Sequence, residues 1–400
     1  MTTSYELNNI RTYKIYSIFN NLLILGPIIT LFYLAKGLSF FEIFLLTSVA
    51  SVTTVIFEVP TGAVSDRFSR KFSLVIGSIL CGISLLVFVY APNFIYMVIA
   101  EVIFSIGITF RSGTEQAILY DSLKNNDLVH RYAQIEGKAR SYAFYAQAVG
   151  SLLAGFLFEI NMSLPFFISV IFMFIAAIIA CFFVEPLINK KTISENYISQ
   201  VKESFKFAFS NKKVFSIILF SVTFMLFYRV GFNYFQPYMQ SVGIKTRYFG
   251  LIFFFFNIVA GYASKHTQEF INLTKPRSMM ALCLLLVVSF IMLGFIKLPI
   301  GIIFLFLQQF ARGYRMPVFQ KYINKHIPSD KRATILSIQS FSHAIVIAVC
   351  APLFGLLLDK TDIYLSHLVI GVSMLSLVLL ANRFMKNTIV SSIDRDTKVS

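Results

Sequence analysis

Twelve runs of roughly twenty apolar residues, each closed by charge, glycine or proline, fill most of this 400-residue chain. They lie near 12–35, 40–63, 72–91, 94–121, 139–159, 164–184, 214–240, 248–269, 277–296, 299–324, 333–358 and 363–384. A helix of that length crosses about 30 Å of hydrocarbon. Only 14% of the residues are charged, against about 25% in a soluble domain. The expectation is an all-α membrane protein of twelve transmembrane helices. The first run lacks a small-residue cleavage site and reads as an uncleaved span.

Lys and Arg fix the orientation. Counting the span ends with the segments they adjoin, 26 of them fall on the side of the N-terminus, and five fall on the other: Lys36, Lys245, Arg247, Lys297 and Lys360. By the positive-inside rule both termini are cytoplasmic. The same split accounts for most of the net charge of +16 without a nucleic-acid partner. The longest polar segment, Glu185–Lys213, carries Ile198, Val201, Phe205 and Phe209 at helical spacing with Lys202 and Lys206 between them. It reads as a basic amphipathic helix on the inner leaflet or as a solvated linker helix. The expected division is 1–184, six spans; 185–213, linker; 214–386, six spans; and 387–400, a cytoplasmic tail.

The halves look duplicated. At an offset of 200, Gly155-Phe-Leu-Phe-Glu159 matches Gly355-Leu-Leu-Leu-Asp359, and Gly113 matches Gly313. Duplication is a common construction for secondary transporters. Cys81, Cys181, Cys283 and Cys350 sit singly in apolar runs, with no metal-ligand spacing. Neither a phosphate loop nor a nucleophile constellation is present, which argues against an enzyme and against ATP-driven transport.

Between spans 2 and 3 stands Glu58-Val-Pro-Thr-Gly62-Ala-Val-Ser-Asp66-Arg67-Phe-Ser-Arg70-Lys71. The pattern Gly62-x-x-x-Asp66-Arg67-x-x-Arg70-Lys71 resembles the loop signature of the major facilitator superfamily, at the right place and on the right side of a 6 + 6 chain. The Glu58 lead-in and Ser112-Gly113-Thr-Glu115-Gln-Ala-Ile-Leu-Tyr120-Asp121 are similar to a bacterial branch whose members include drug–proton antiporters. Arg111 falls where those antiporters have a span 4 arginine, whereas span 5 lacks their Gly-Pro. The resemblance implies two pseudo-symmetric six-helix bundles around a cavity lined by spans 1, 4, 7 and 10, rocking to give alternating access. It also implies a bacterial cytoplasmic-membrane location and a cytoplasmic gate held by Asp66, in part by facing the inner, N-terminal end of span 11 near Ala333. With Glu58, Gly62, Arg67 and Arg70, Asp66 would form a conformational latch, in which Gly62 lets the turn pack closely.

A charge near the bilayer centre costs at least about 2.5–3.5 kcal/mol and needs a partner, water or a function. In span 4, Glu101, Arg111 and Glu115 fall within an arc of roughly 80° on a continuous helix. Arg111 and Glu115 are spaced to pair. They form either a proton relay or a neutralised pair holding spans together. In span 10, Gln308, Arg312 and Arg315 share a face; in span 7, Arg229, Asn233, Gln236 and Gln240 do the same. Arginine suits carboxylate or phosphate, so these residues either bind an anionic or zwitterionic substrate or form gates. Asn20 and Asn21 precede a bend at Gly26-Pro27 and line the cavity or bond between helices. Gln339 and His343 share a face of span 11. Tyr228, Tyr234, Phe235 and Tyr238 make part of span 7 aromatic, as an interfacial belt or a stacking surface.

The expected function is proton-coupled efflux of small organic molecules, with Glu101 and Glu115 coupling, Arg111 tuning them, and no cofactor or metal beyond the proton gradient. Its partners are the substrate and the bilayer, and the protein is a monomer. Proton symport of an anionic nutrient or metabolite is the first alternative, and a non-transporting membrane sensor the second.

Overall fold

The computed structural model describes residues 3–22, 24–186, 210–327 and 329–396. Most of the expected linker helix, 187–209, lies outside them. Among the described residues the structure is helical, with no strand. The first half comprises α1 (Thr3–Asn21), α2 (Ile29–Ala35), α3 (Phe40–Arg67), α4 (Arg70–Tyr90), α5 (Phe94–Arg111), α6 (Thr114–Lys124), α7 (Tyr132–Ile160) and α8 (Leu164–Ala180). The second comprises α9 (Lys212–Ser241), α10 (Phe249–Lys265), α11 (Thr267–Thr274), α12 (Ser278–Phe295), α13 (Ile302–His326), α14 (Ser329–Lys360) and α15 (Ile363–Asp396).

Among the described residues nine segments are long and apolar enough to cross a membrane: α3, α4, α5 with α6, α7, α9, α10, α12, α14 and α15. The other three expected spans depart for separate reasons. The first is broken between α1 and α2, α8 is apolar but short, and α13 is diluted by Gln308, Gln309, Arg312 and Arg315.

Side chains set the helix starts. Ser39 opens α3 with a capping box, its hydroxyl accepting from the Glu42 N–H at 3.2 Å while Glu42 Oε2 accepts from the Ser39 N–H at 2.8 Å. Ser69, Asn93 and Asn211 cap α4, α5 and α9 in the same sense.

The chain forms two compact units, Met1–Lys191 with Ile244–Asn257, and Thr192–Gly243 with Ile258–Ser400. The first contains two apolar cores. One gathers Phe32, Cys81, Phe88, Phe166 and Met173 from α2, α4 and α8, together with α3 and α5. The other gathers Tyr16, Leu74, Ile118, Leu123 and Phe183 around α1, α4 and α6. The breaks between α1 and α2 and between α5 and α6 fall where one core gives way to the other, so polar side chains are placed between two apolar layers.

In the second unit α12 packs against α13 and α15, and α9 against α13, α14 and α15. Tyr234, Phe235 and Tyr238 are fully buried there. Tyr234 Oη donates to the Phe354 carbonyl at 2.7 Å and Tyr238 Oη to the Ile296 carbonyl at 2.8 Å. Both rings meet His367 edge-on. The aromatic end of span 7 is therefore core, neither belt nor stacking surface, because each phenol finds a carbonyl inside the bundle.

Candidate functional site

Span 4 is interrupted. α5 stops at Arg111, and Gly113 takes φ +74° before α6 begins. The continuous helix behind the single-arc expectation is absent, because a left-handed φ at Gly113 cannot extend a right-handed helix. Arg111 and Glu115 still meet across the break, with Arg111 Nε 3.8 Å from Glu115 Oε1 and side-chain exposures of 11% and 17%. Gly113→Ala should destabilise the protein by about 1–3 kcal/mol, since a Cβ is strained at this φ, and thermal unfolding in detergent would register the loss.

Arg111 is placed by a close helix contact. A Cβ on Gly77 of α4 would stand 2.7 Å from Arg111 Cγ and 2.7 Å from the Gly107 carbonyl, so only glycine leaves room for the arginine stem. Arg111 Nη1 then donates to Cys81 Sγ at 3.3 Å and approaches Met173 Sδ at 3.7 Å. Both are weak acceptors. Buried Nε makes no hydrogen bond. Glu115 Oε1 instead accepts from Asn20 Nδ2 at 2.8 Å, and Asn20 Oδ1 is buried without a partner. The guanidinium is thus near its carboxylate without a hydrogen bond to it.

Glu101 is half-buried on α5, ten residues and about 15 Å of helix from Arg111. It lies within electrostatic reach of Tyr33 and Cys81. Asn21 turns back to its own helix, donating to the Ser17 carbonyl at 2.8 Å.

The stretch 58–71 differs from expectation in shape. α3 runs through Pro60 and Gly62 to Arg67, and the turn falls at Phe68–Ser69. A Cβ on Gly62 would meet nothing within 4 Å, so close packing does not explain this glycine. Arg70 is buried and bonds Asp121 of α6, while Asp66, 74% exposed, stands 4.0 Å from it. Glu58 and Arg67 are exposed. Glu185, after α8, caps α4: its carboxylate accepts from the Ser69 hydroxyl at 2.6 Å and from the Arg70 and Lys71 N–H groups at 2.8 and 3.0 Å. Asn9 ties α1 to the same corner through Ser122 Oγ and both backbone groups of Val184. The side chains of residues 330–334, where Asp66 was expected to find a helix terminus, lie outside the described ones.

In the second unit, Arg315 Nη1 contacts Met225 Sδ of α9, and Arg312 Nη1 donates to Gln309 Oε1 at 3.5 Å. Arg229 is exposed, whereas Asn233, Gln236 and Gln308 are buried. Gln308 Nε2 donates to Ser289 Oγ of α12 at 3.0 Å. Gln339 donates to the Ser221 hydroxyl, which lies 2.9 Å from His343 Nε2.

Long apolar helices with ionisable groups held between apolar layers are the build of a multi-pass membrane protein. The chain belongs to the Major Facilitator Superfamily, whose profile matches residues 16–272 and 248–392. It is 23% identical over 386 residues to YxaM, an uncharacterised MFS-type transporter of Bacillus subtilis (strain 168), covering 94% of both chains. It is also 22% identical over 196 residues, about half of each chain, to MJ1560, an uncharacterised MFS-type transporter of Methanocaldococcus jannaschii. Similar solved structures are the nucleoside transporter NupG (TM-score 0.79, 15% identity, 95% of this chain and 99% of that one) and a bacterial homologue of the human lysosomal transporter Spinster (TM-score 0.74, 14% identity, 96% and 97%). At these identities the likeness establishes the fold.

Proposed function

We propose that this chain is a secondary active transporter exporting small organic molecules across the cytoplasmic membrane in exchange for protons, as a monomer with both termini inside and no cofactor. One observation carries the reading: a nearly buried carboxylate, Glu115, sits beside a nearly buried guanidinium that does not hydrogen-bond it. An ionised Glu115 is matched by Arg111 and by the Asn20 amide. A protonated Glu115 releases Arg111 to its sulfur partners on α4 and α8. The two protonation states therefore differ in what ties α6 to α1 and α5, which is the kind of difference a proton needs in order to bias a conformation. The corner at Arg70, Asp121 and Glu185 supports a separate, structural role for the loop signature, with Asp66 left as the exposed member available for a latch.

Direction is the test. Inside-out vesicles given an acid interior should accumulate substrate, and the gradient's collapse should release it. Accumulation confined to right-side-out vesicles would replace export with proton symport of an anionic nutrient or metabolite. Flux in neither preparation would leave a membrane sensor.

A further inference from the structure

The second half of the chain is charged asymmetrically. Between Asn211 and Asp394 its carboxylates are Glu269, Asp330, Asp359 and Asp362. Glu269 lies in the short α11, Asp330 and Asp359 occupy the second and penultimate positions of α14, and Asp362 precedes α15. None falls on α9 or α13, which carry Arg229 and the pair Arg312 and Arg315 respectively. Arg312 is ten residues from the start of α13, a depth of about 15 Å along the helix.

These cations are gathered. Arg315 lies within electrostatic reach of Arg229, Arg312 and Tyr228, and His343 within reach of Arg315. Like charges gathered at that depth repel, and each carries its own insertion cost. Arg315 Nη1 contacts the Met225 thioether, a weak acceptor for a guanidinium. Arg229 presents its side chain openly. The neighbouring Ser221 and Gln339 carry no charge: the Ser221 hydroxyl accepts from Gln339 and lies 2.9 Å from His343 Nε2.

We propose that Arg315, with Arg312 and Arg229, forms the recognition site for an organic anion, so that the transported molecule carries a carboxylate or a phosphate. The planar guanidinium fork binds either group through two parallel N–H donors, and the low dielectric between helices strengthens the attraction. An anion meets guanidinium groups on two helices, α9 and α13, that carry no carboxylate of their own. The inference rests on the transport reading above and deepens it by naming the substrate class.

The purified full-length protein in detergent is titrated with benzoate, citrate and a nucleoside 5′-monophosphate, with the parent nucleoside as neutral control and tetraphenylphosphonium as cationic control, and unfolding is followed thermally. At least one anion should raise Tm where both controls do not. A carboxylate source gives benzoate or citrate as the stabiliser; a phosphate source gives the monophosphate alone. Arg315→Gln should weaken the effect at least tenfold, and Arg315→Lys, which keeps the charge and loses the fork, should weaken it less. The proposal is overturned if no anion stabilises the wild type, if the nucleoside matches its monophosphate, or if Arg315→Gln, eluting as a single species, responds like the wild type. The same compounds are then offered to vesicles. Flux of the neutral or cationic compound alone would overturn the anion site while leaving transport standing, whereas binding without flux of any compound would overturn the transport reading.

Discussion

Glu115→Gln is expected to abolish gradient-driven accumulation while preserving downhill exchange. A pH step of one unit is worth about 1.36 kcal/mol per proton, so the wild type should concentrate substrate about tenfold per unit for each proton exchanged. The variant keeps the shape and an amide oxygen that can still accept from Asn20 Nδ2, 2.8 Å from the native carboxylate. It has lost the titratable group, and substrate should equilibrate at a ratio of one across the membrane whatever the pH difference. Counterflow of labelled against unlabelled substrate, at equal pH on both sides, should persist, because it requires the conformational cycle and no net proton movement. A variant that still concentrates substrate as the wild type does would move the coupling elsewhere, with Glu101 next in line as the half-buried carboxylate along α5.

The largest stability effect is expected at Arg70. Removing one partner of a buried ion pair costs about 3–5 kcal/mol, because the other charge stays behind. Arg70→Ala leaves Asp121, 20% exposed, without its guanidinium. A Tm fall on the order of 10 °C follows for a bundle of this size. Asp66→Asn removes a carboxylate that is 74% exposed and 4.0 Å away, and should cost no more than about 1 kcal/mol. Equal losses from the two substitutions would mean that Asp66 carries structural weight in this corner. A change in accessibility labelling by Asp66→Asn, with Tm unaltered, is the result expected of a latch.

Nine of the twelve spans were readable because lipid admits little besides long apolar helices, and those runs satisfy that condition locally. The Arg111–Glu115 pair was readable for the same reason of locality, being four residues apart. What escaped notice is non-local or compensated. Glu185 caps a helix that begins 115 residues earlier, and no periodicity signals that. Cys81 and Met173 look like core because they are core, and their role as acceptors appears only once Gly77 lets Arg111 lie across α4. Ser112-Gly113 could have been a tolerated dent in one helix, and only the backbone angle distinguishes a dent from an end. Tyr234 and Tyr238 carry the composition of a membrane-interface belt, yet each found a carbonyl within the bundle. Gly113 and Gly313, paired by sequence offset, have different surroundings: Gly113 ends a helix, whereas Gly313 sits inside α13, where a Cβ would stand 2.2 Å from the Ala260 carbonyl.

The polar dilution of α13 bears on how the protein is made. Two arginines at about 2.5–3.5 kcal/mol each outweigh much of what its apolar residues return on entering lipid. A ribosome delivering this segment to the insertion machinery therefore hands over a helix that does not partition readily alone. A hydrogen-bond partner is already synthesised when it emerges: Ser289 on α12, which accepts from Gln308. Order of translation thus becomes a chaperone of sorts, with the earlier helices waiting at the membrane for α13 to arrive.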